Sequence, residues 1–191
     1  MTVKTAYQRK YLRAPFTQDV LYGDGGFVHK AKALNLSEGG ILLSELGCIP
    51  ADECISFMFQ LPRYSLFKNF HLEDLRQVNR EQLETSTIRF NAHMVRKPGN
   101  TPSATEGVFS PKVGFEIKEI APIYQKYIYE YVDVFSSNLI YMQVLIDTLQ
   151  SDQTNLPKLR LLSHILGYDQ NDKVAYLRKV IEHDYKSLQW L

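Results

Sequence analysis

The stretch Asn35-Leu36-Ser37-Glu38-Gly39-Gly40-Ile41-Leu42-Leu43 decides how the rest of the chain is read. Its first half is small and polar, with an amide, a hydroxyl and two adjacent glycines. Its second half, Ile41 to Leu43, is a bare apolar run of the kind that enters a sheet. Two glycines before a strand give access to φ > 0 and let another group approach closely. The stretch is therefore expected to form a turn over Asn35–Gly40 that feeds a strand over Ile41–Ser44.

Upstream stands Arg9-Lys10-Tyr11-Leu12-Arg13, in a polar, basic segment without strand alternation before Tyr11. Residues 1–35 carry six Lys/Arg against two acids, a local charge of +4 in a chain whose net charge is +1. A small basic patch suits a small anionic ligand better than a duplex, whose binding needs many phosphate contacts.

An Arg-x-x-x-Arg pair followed, 22 positions after its second arginine, by Asn-x-Ser-x-x-Gly resembles the signature of the PilZ domain, a bacterial receptor for cyclic di-GMP. The resemblance covers about residues 7–133. It implies a six-stranded antiparallel β-barrel, and it implies that Arg9, Arg13, Asn35, Ser37 and Gly40 hold the dinucleotide. Gly39 and Lys10 flank those positions. An Arg at the position of Gln8 favours two stacked ligand molecules in the family, so Gln8 implies one per chain. Family members often add a stacking side chain from a later strand, and Arg96 is the candidate here.

The chemistry suits those residue types. Cyclic di-GMP presents two phosphates and two guanines, and the arginine fork can donate two parallel hydrogen bonds to guanine O6/N7 or to a phosphate. Its flat face also stacks on a purine, which lysine cannot do. Asn35 offers one acceptor and two donors to a base edge, and as an Asx-turn residue it could equally bond its own backbone. Ser37 can donate or accept. At Gly40 a side chain would obstruct either the turn or the ligand.

The other strands follow from pattern. Thr17–Tyr22 ends at the turn signal Gly23-Asp24-Gly25-Gly26, and Phe27–Leu34 alternates. Cys54–Leu61 is rich in β-branched and aromatic residues and closes at Pro62. Thr87–Arg96 and Lys112–Ile120 complete the set, joined by a Pro/Gly/Ser/Thr-rich loop over residues 97–111. The pattern changes over residues 63–86, where a helix near His71–Glu84 is expected as an insertion covering the barrel. From Ile123 the chain is helical. Ser136-Ser137-Asn138 either interrupts that helix or the helix runs on to Gln150. Asn155 and Asn171 are expected caps, and Gly167 a terminator. The expected organisation is a barrel domain over residues 1–133, with its insertion, and a helical extension over 134–191.

Several classes are set aside. The five histidines form no metal-ligand pair in sequence, and neither a Gly-x-Ser-x-Gly elbow nor a phosphate-binding Gly-x-x-x-x-Gly-Lys loop occurs, so no enzyme and no cofactor is expected. Cys48 and Cys54 are read as two buried reduced thiols. The longest uncharged run, Val134–Ile146, has 13 residues, short of the ~20 a membrane span needs. With no apolar leader in Met1–Thr5, a cytoplasmic protein is expected. An oligonucleotide-binding barrel would want aromatics on its ligand face, and Phe27 is the one exposed-looking candidate. The expected partners are cyclic di-GMP and a downstream protein, with a homodimer through the C-terminal helices as one further option. The competing reading is a barrel of the same fold that binds no nucleotide and acts as an interaction module.

Overall fold

Between Cys54 and Pro62 the side chains alternate as a half-buried strand requires: Ile55, Phe57, Phe59 and Leu61 are buried, and Cys54, Ser56 and Gln60 are exposed. This strand is one of seven in the computed structural model, which describes residues 10–96, 112–149, 155–168 and 173–189. The strands are β1 (Ala14–Pro15), β2 (Asp19–Asp24), β3 (Phe27–Ser37), β4 (Gly40–Ser44), β5 (Cys54–Pro62), β6 (Thr85–Arg96) and β7 (Val113–Ile120).

All pairings are antiparallel. The order β3-β2-β5-β6-β7-β4 closes on itself because β4 also pairs with β3, so six strands form a closed barrel and β1 adds two residues to β3. This is the architecture the resemblance implied. Closure removes the free edges that an open sheet would expose. The interior is aromatic, with the Phe57 ring 5.4 Å from Phe90 and 5.0 Å from Phe115.

Contacts divide the chain into two compact units. One holds Ala14–Arg63 and Glu84–Val132; the other holds the described parts of residues 1–13, 64–83 and 133–191. The helices are α1 (Leu72–Gln77), α2 (Pro122–Thr148), α3 (Asn155–Leu166) and α4 (Val174–Gln189). No helix among the described residues is long and apolar enough to cross a membrane.

Two expectations are corrected in detail. The first strand starts and ends two residues later than Thr17–Tyr22, because Gly23 and Asp24 pair with Val28 and Phe27. The hairpin then closes through Gly25 (φ +56) and Gly26 (φ +82), the left-handed pair of a two-residue type I′ turn. The helix expected over His71–Glu84 lasts only for Leu72–Gln77. Val78 is extended, and the Asn79 side chain accepts from Glu81 N–H at 2.9 Å to start a separate 3-10 turn. Segment 64–83 belongs to the helical unit.

Of the two alternatives at Ser136-Ser137-Asn138, the uninterrupted helix is the one formed. Asn138 is buried because Phe67 N–H donates to its Oδ1 at 2.9 Å and its Nδ2 donates to Ser65 O at 2.9 Å. Gly167 (φ +87) ends α3 as expected, with Tyr168 N–H on Ser163 O at 2.7 Å and Gly167 N–H on His164 O at 3.2 Å. The cysteines differ from expectation: Cys48 is half-buried and Cys54 exposed. The expected loop over 97–111 and the expected cap Asn171 lie outside the described residues.

Candidate functional site

Residues Asn35–Gly40 are not the continuous turn the sequence suggested. β3 runs on through Ser37, which pairs with Gly40, so the turn proper is Glu38-Gly39. A bulge lies one residue before Asn35. Ala33 pairs with Leu43 and Asn35 with Leu42, which leaves Leu34 as the extra residue. The Leu34 carbonyl accepts from Phe16 N–H at 3.2 Å instead.

That bulge has a consequence for side-chain direction. Ala31 and Ala33 face the barrel interior, and strict alternation would send Asn35 inward as well. After the bulge it is Leu36 that is buried, and Asn35 is half-exposed. The polar amide is thereby spared burial without a partner.

Ser37 is buried and donates to Gly40 O at 3.1 Å, bracing the two ends of the turn. Gly39 O accepts from Ile117 N–H at 3.0 Å, which fastens the turn to β7. Gly40 is required for space. Its backbone is not left-handed, and a Cβ there would lie well inside contact distance of Phe115 O.

The basic patch is partly neutralised. Asp19 bonds Lys30 at 2.8 Å and Lys32 at 3.6 Å. The Lys30 hydrogen bond holds the Asp19 carboxyl below the usual carboxylate range, with Lys32 adding to it. Lys10 Nζ stands 5.1 Å from the centre of the Tyr11 ring, a cation–π distance.

The strand β1 matters because Ala14 pairs with Leu36 and Pro15 with Asn35. Tyr131 O–H donates to Pro15 O at 2.6 Å and its ring lies 5.6 Å from Phe16, so α2 locks this short strand in place. The residue covalently before that anchored pair is Arg13. Arg9 and Gln8 lie outside the described residues, as does the side chain of Arg96, whose backbone pairs with Gly114 at the end of β6.

Two features had no signal in the sequence. An open groove of about 940 Å³ runs along the barrel past Leu21, Met58, Arg89, Asn91, Lys118 and Tyr124. The second is a cluster of Asp24, His29 and Cys48, residues too unevenly spaced to form a motif. At its edge Tyr22 donates to Cys48 O at 2.8 Å; burial, with the Cys48 side chain adding to it, pushes the Tyr22 phenol up to about 12.

No family model matches the sequence, and no curated protein matches it. Among solved structures, the inhibitor of motility MotI/DgrA of Bacillus subtilis is 20% identical over 65% of this chain and 49% of that one, with a TM-score of 0.47. The PlzA protein of Borreliella burgdorferi, in complex with c-di-GMP, is 15% identical over 66% of this chain and 41% of that one, with a TM-score of 0.38. The PilZ domain of YcgR from Escherichia coli, with c-di-GMP, is 14% identical over 67% of this chain and 91% of that one, with a TM-score of 0.40. The chain thus spans less than half the length of the first two.

Proposed function

We propose that this chain is a PilZ-type receptor for cyclic di-GMP, which binds the dinucleotide between an arginine arm and the β3–β4 hairpin and signals to a partner protein. The observation that carries the reading is the bulge at Leu34. It turns Asn35 away from the core, beside the two residues of β1 that follow the arm, and this supports a role for its amide in binding.

In this reading Arg9 and Arg13 supply forked donors to guanine edges and phosphates. Asn35 reads a base edge, and Gly40 keeps the surface flat. The Ser37 hydroxyl is already given to Gly40 O, so its part is to hold the turn while its lone pairs accept from the ligand. Gln8, Lys10, Gly39 and Arg96 form the rim. The arm orders over the hairpin when ligand arrives. Charge-assisted hydrogen bonds offset the lost entropy, and the closed arm presents a new surface to the partner.

Self-association through the C-terminal helices is a second proposal. It is favoured by Ile140 and Val144, which are exposed one turn apart on α2.

The test of the receptor reading is a calorimetric titration with cyclic di-GMP, beside Arg13→Ala and a GMP control. Saturable binding of one ligand per chain is expected. Loss of a hydrogen bond to a charged group costs ~1.5–3 kcal/mol, so Arg13→Ala should bind roughly 10- to 100-fold more weakly. Absence of heat at high ligand concentration would overturn the receptor and leave an interaction module.

A further inference from the structure

The connection between β4 and β5 carries Cys48 back over the β2–β3 hairpin. There Asp24, His29 and Cys48 each present one ligand atom, and these atoms lie within 4.8 Å of one another. Cys48 Sγ is 3.6 Å from His29 Nδ1 and 3.7 Å from Nε2. Zn–S of ~2.3 Å and Zn–N of ~2.0 Å at a tetrahedral angle place a thiolate sulfur and an imidazole nitrogen ~3.5 Å apart. The two ring nitrogens stand at nearly the same distance, so a turn of the imidazole brings either of them to the shared point.

The surroundings orient all three groups. Asp24 Oδ1 accepts from Ala51 N–H at 3.1 Å and from Asp52 N–H at 3.1 Å, while Oδ2 accepts from Ala51 N–H at 3.2 Å. Gly25 N–H in turn donates to Asp52 Oδ2 at 3.1 Å. The Tyr22 ring stacks on His29 at 5.1 Å and 26°, and its hydroxyl donates to the Cys48 carbonyl. Tyr22 thus steadies two members of the cluster and the Ala51–Asp52 backbone steadies the third. Outer contacts of this kind fix the direction of metal ligands.

We propose that Asp24, His29 and Cys48 bind one divalent cation of the zinc type, with water completing the tetrahedron. One sulfur, one nitrogen and one oxygen donor suit a borderline-soft ion; calcium and magnesium take oxygen ligands. Binding releases the Cys48 thiol proton, replaces the S···N contact by two metal–ligand bonds, and neutralises the thiolate and carboxylate together. Its physical effect is to clip the loop around Cys48 onto the β2–β3 hairpin.

The test uses Co²⁺ with the tag-free full chain, read by absorption spectroscopy. One Co²⁺ per chain is expected, with a thiolate-to-cobalt charge-transfer band and visible bands of tetrahedral intensity, both removed by added Zn²⁺. Cys48→Ser should lose the charge-transfer band, and Cys54→Ser should keep it. Binding without that band, a band that survives Cys48→Ser, or a band lost in Cys54→Ser would each overturn the site. A second readout needs no variant, in case Cys48→Ser fails to fold. Zn²⁺ should slow iodoacetamide alkylation of Cys48 while leaving the exposed Cys54 unaffected, and unchanged alkylation of Cys48 under saturating Zn²⁺ would overturn the proposal.

Discussion

Replacing Gly40 by alanine puts the geometry of the hairpin to a quantitative test. The new Cβ would fall well inside contact distance of Phe115 O, with Phe115 C at 3.3 Å and Glu116 Cα at 3.5 Å. All three atoms are backbone of β7, so no flexible side chain can give way. Nor can β4 move outward, since Gly40 pairs with Ser37 on one side and Glu116 on the other, where the barrel closes. Overpacking a fixed site costs ~1–3 kcal/mol, and the absence of any yielding atom places Gly40 at the upper end. A Gly→Ala change also restricts the unfolded chain, which returns ~0.4–1 kcal/mol. The net loss is about 2 kcal/mol, and at ~2–4 °C per kcal/mol for a chain of this size the melting temperature falls roughly 4–8 °C. The matched control is Gly47→Ala, where nothing lies within 4 Å and the backbone is not left-handed. That change is expected to be neutral or stabilising by up to ~1 kcal/mol. Thermal and urea melts of the three proteins, followed by circular dichroism, give the comparison. A Gly40→Ala chain as stable as the parent would refute the steric argument and return the glycine to a ligand role alone.

Further outcomes follow from other contacts. Asn138→Ala leaves the Phe67 N–H and the Ser65 carbonyl without their partner, so urea melts of the helical signal should show a loss of at least ~2 kcal/mol. Tyr131→Phe removes the hydroxyl that holds Pro15 O and should cost ~1 kcal/mol while raising amide exchange in β1. The Tyr22 phenol is raised in the fold, so the stability it contributes is complete below about pH 10 and is lost as the pH climbs toward about 12. Stability of the Tyr22→Phe chain should therefore fall less steeply over that window, and equal slopes would contradict the assignment. Ile140→Glu should convert any dimer seen by light scattering to monomer, and an unchanged dimer would move the interface elsewhere.

The barrel was legible because its strands keep a two-residue period that composition does not obscure, as Ile55, Phe57, Phe59 and Leu61 illustrate. The bulge was not. An extra residue at Leu34 leaves no mark in Ala33-Leu34-Asn35-Leu36, and only the shift of burial from Ala33 to Leu36 reveals it. Asn35 stands out in the sequence by residue type, but its outward direction comes from the ladder. The helix over His71–Glu84 was overextended because Leu72, Leu75 and Val78 do follow helical spacing for one turn, after which Asn79 caps a new start. Ser136-Ser137-Asn138 leaves interruption and continuation both open in the sequence, because the partners of Asn138 lie 71 and 73 residues away. The Asp24–His29–Cys48 cluster was invisible for the same reason: it is assembled by a hairpin and a returning loop, and local spacing carries no trace of it.

In the proposed mode of binding, one ligand engages both the arginine arm and the β3–β4 hairpin. Hydrogen exchange of the full chain, followed over a titration with cyclic di-GMP, reads both segments at once. Slowed exchange is expected at residues 10–15 and at 34–41 together, with both effects shifted to roughly 10- to 100-fold higher ligand concentration in Arg13→Ala. Protection confined to the groove past Arg89 and Lys118, or hairpin protection that Arg13→Ala reaches at the same ligand concentration as the parent, would contradict that mode of binding.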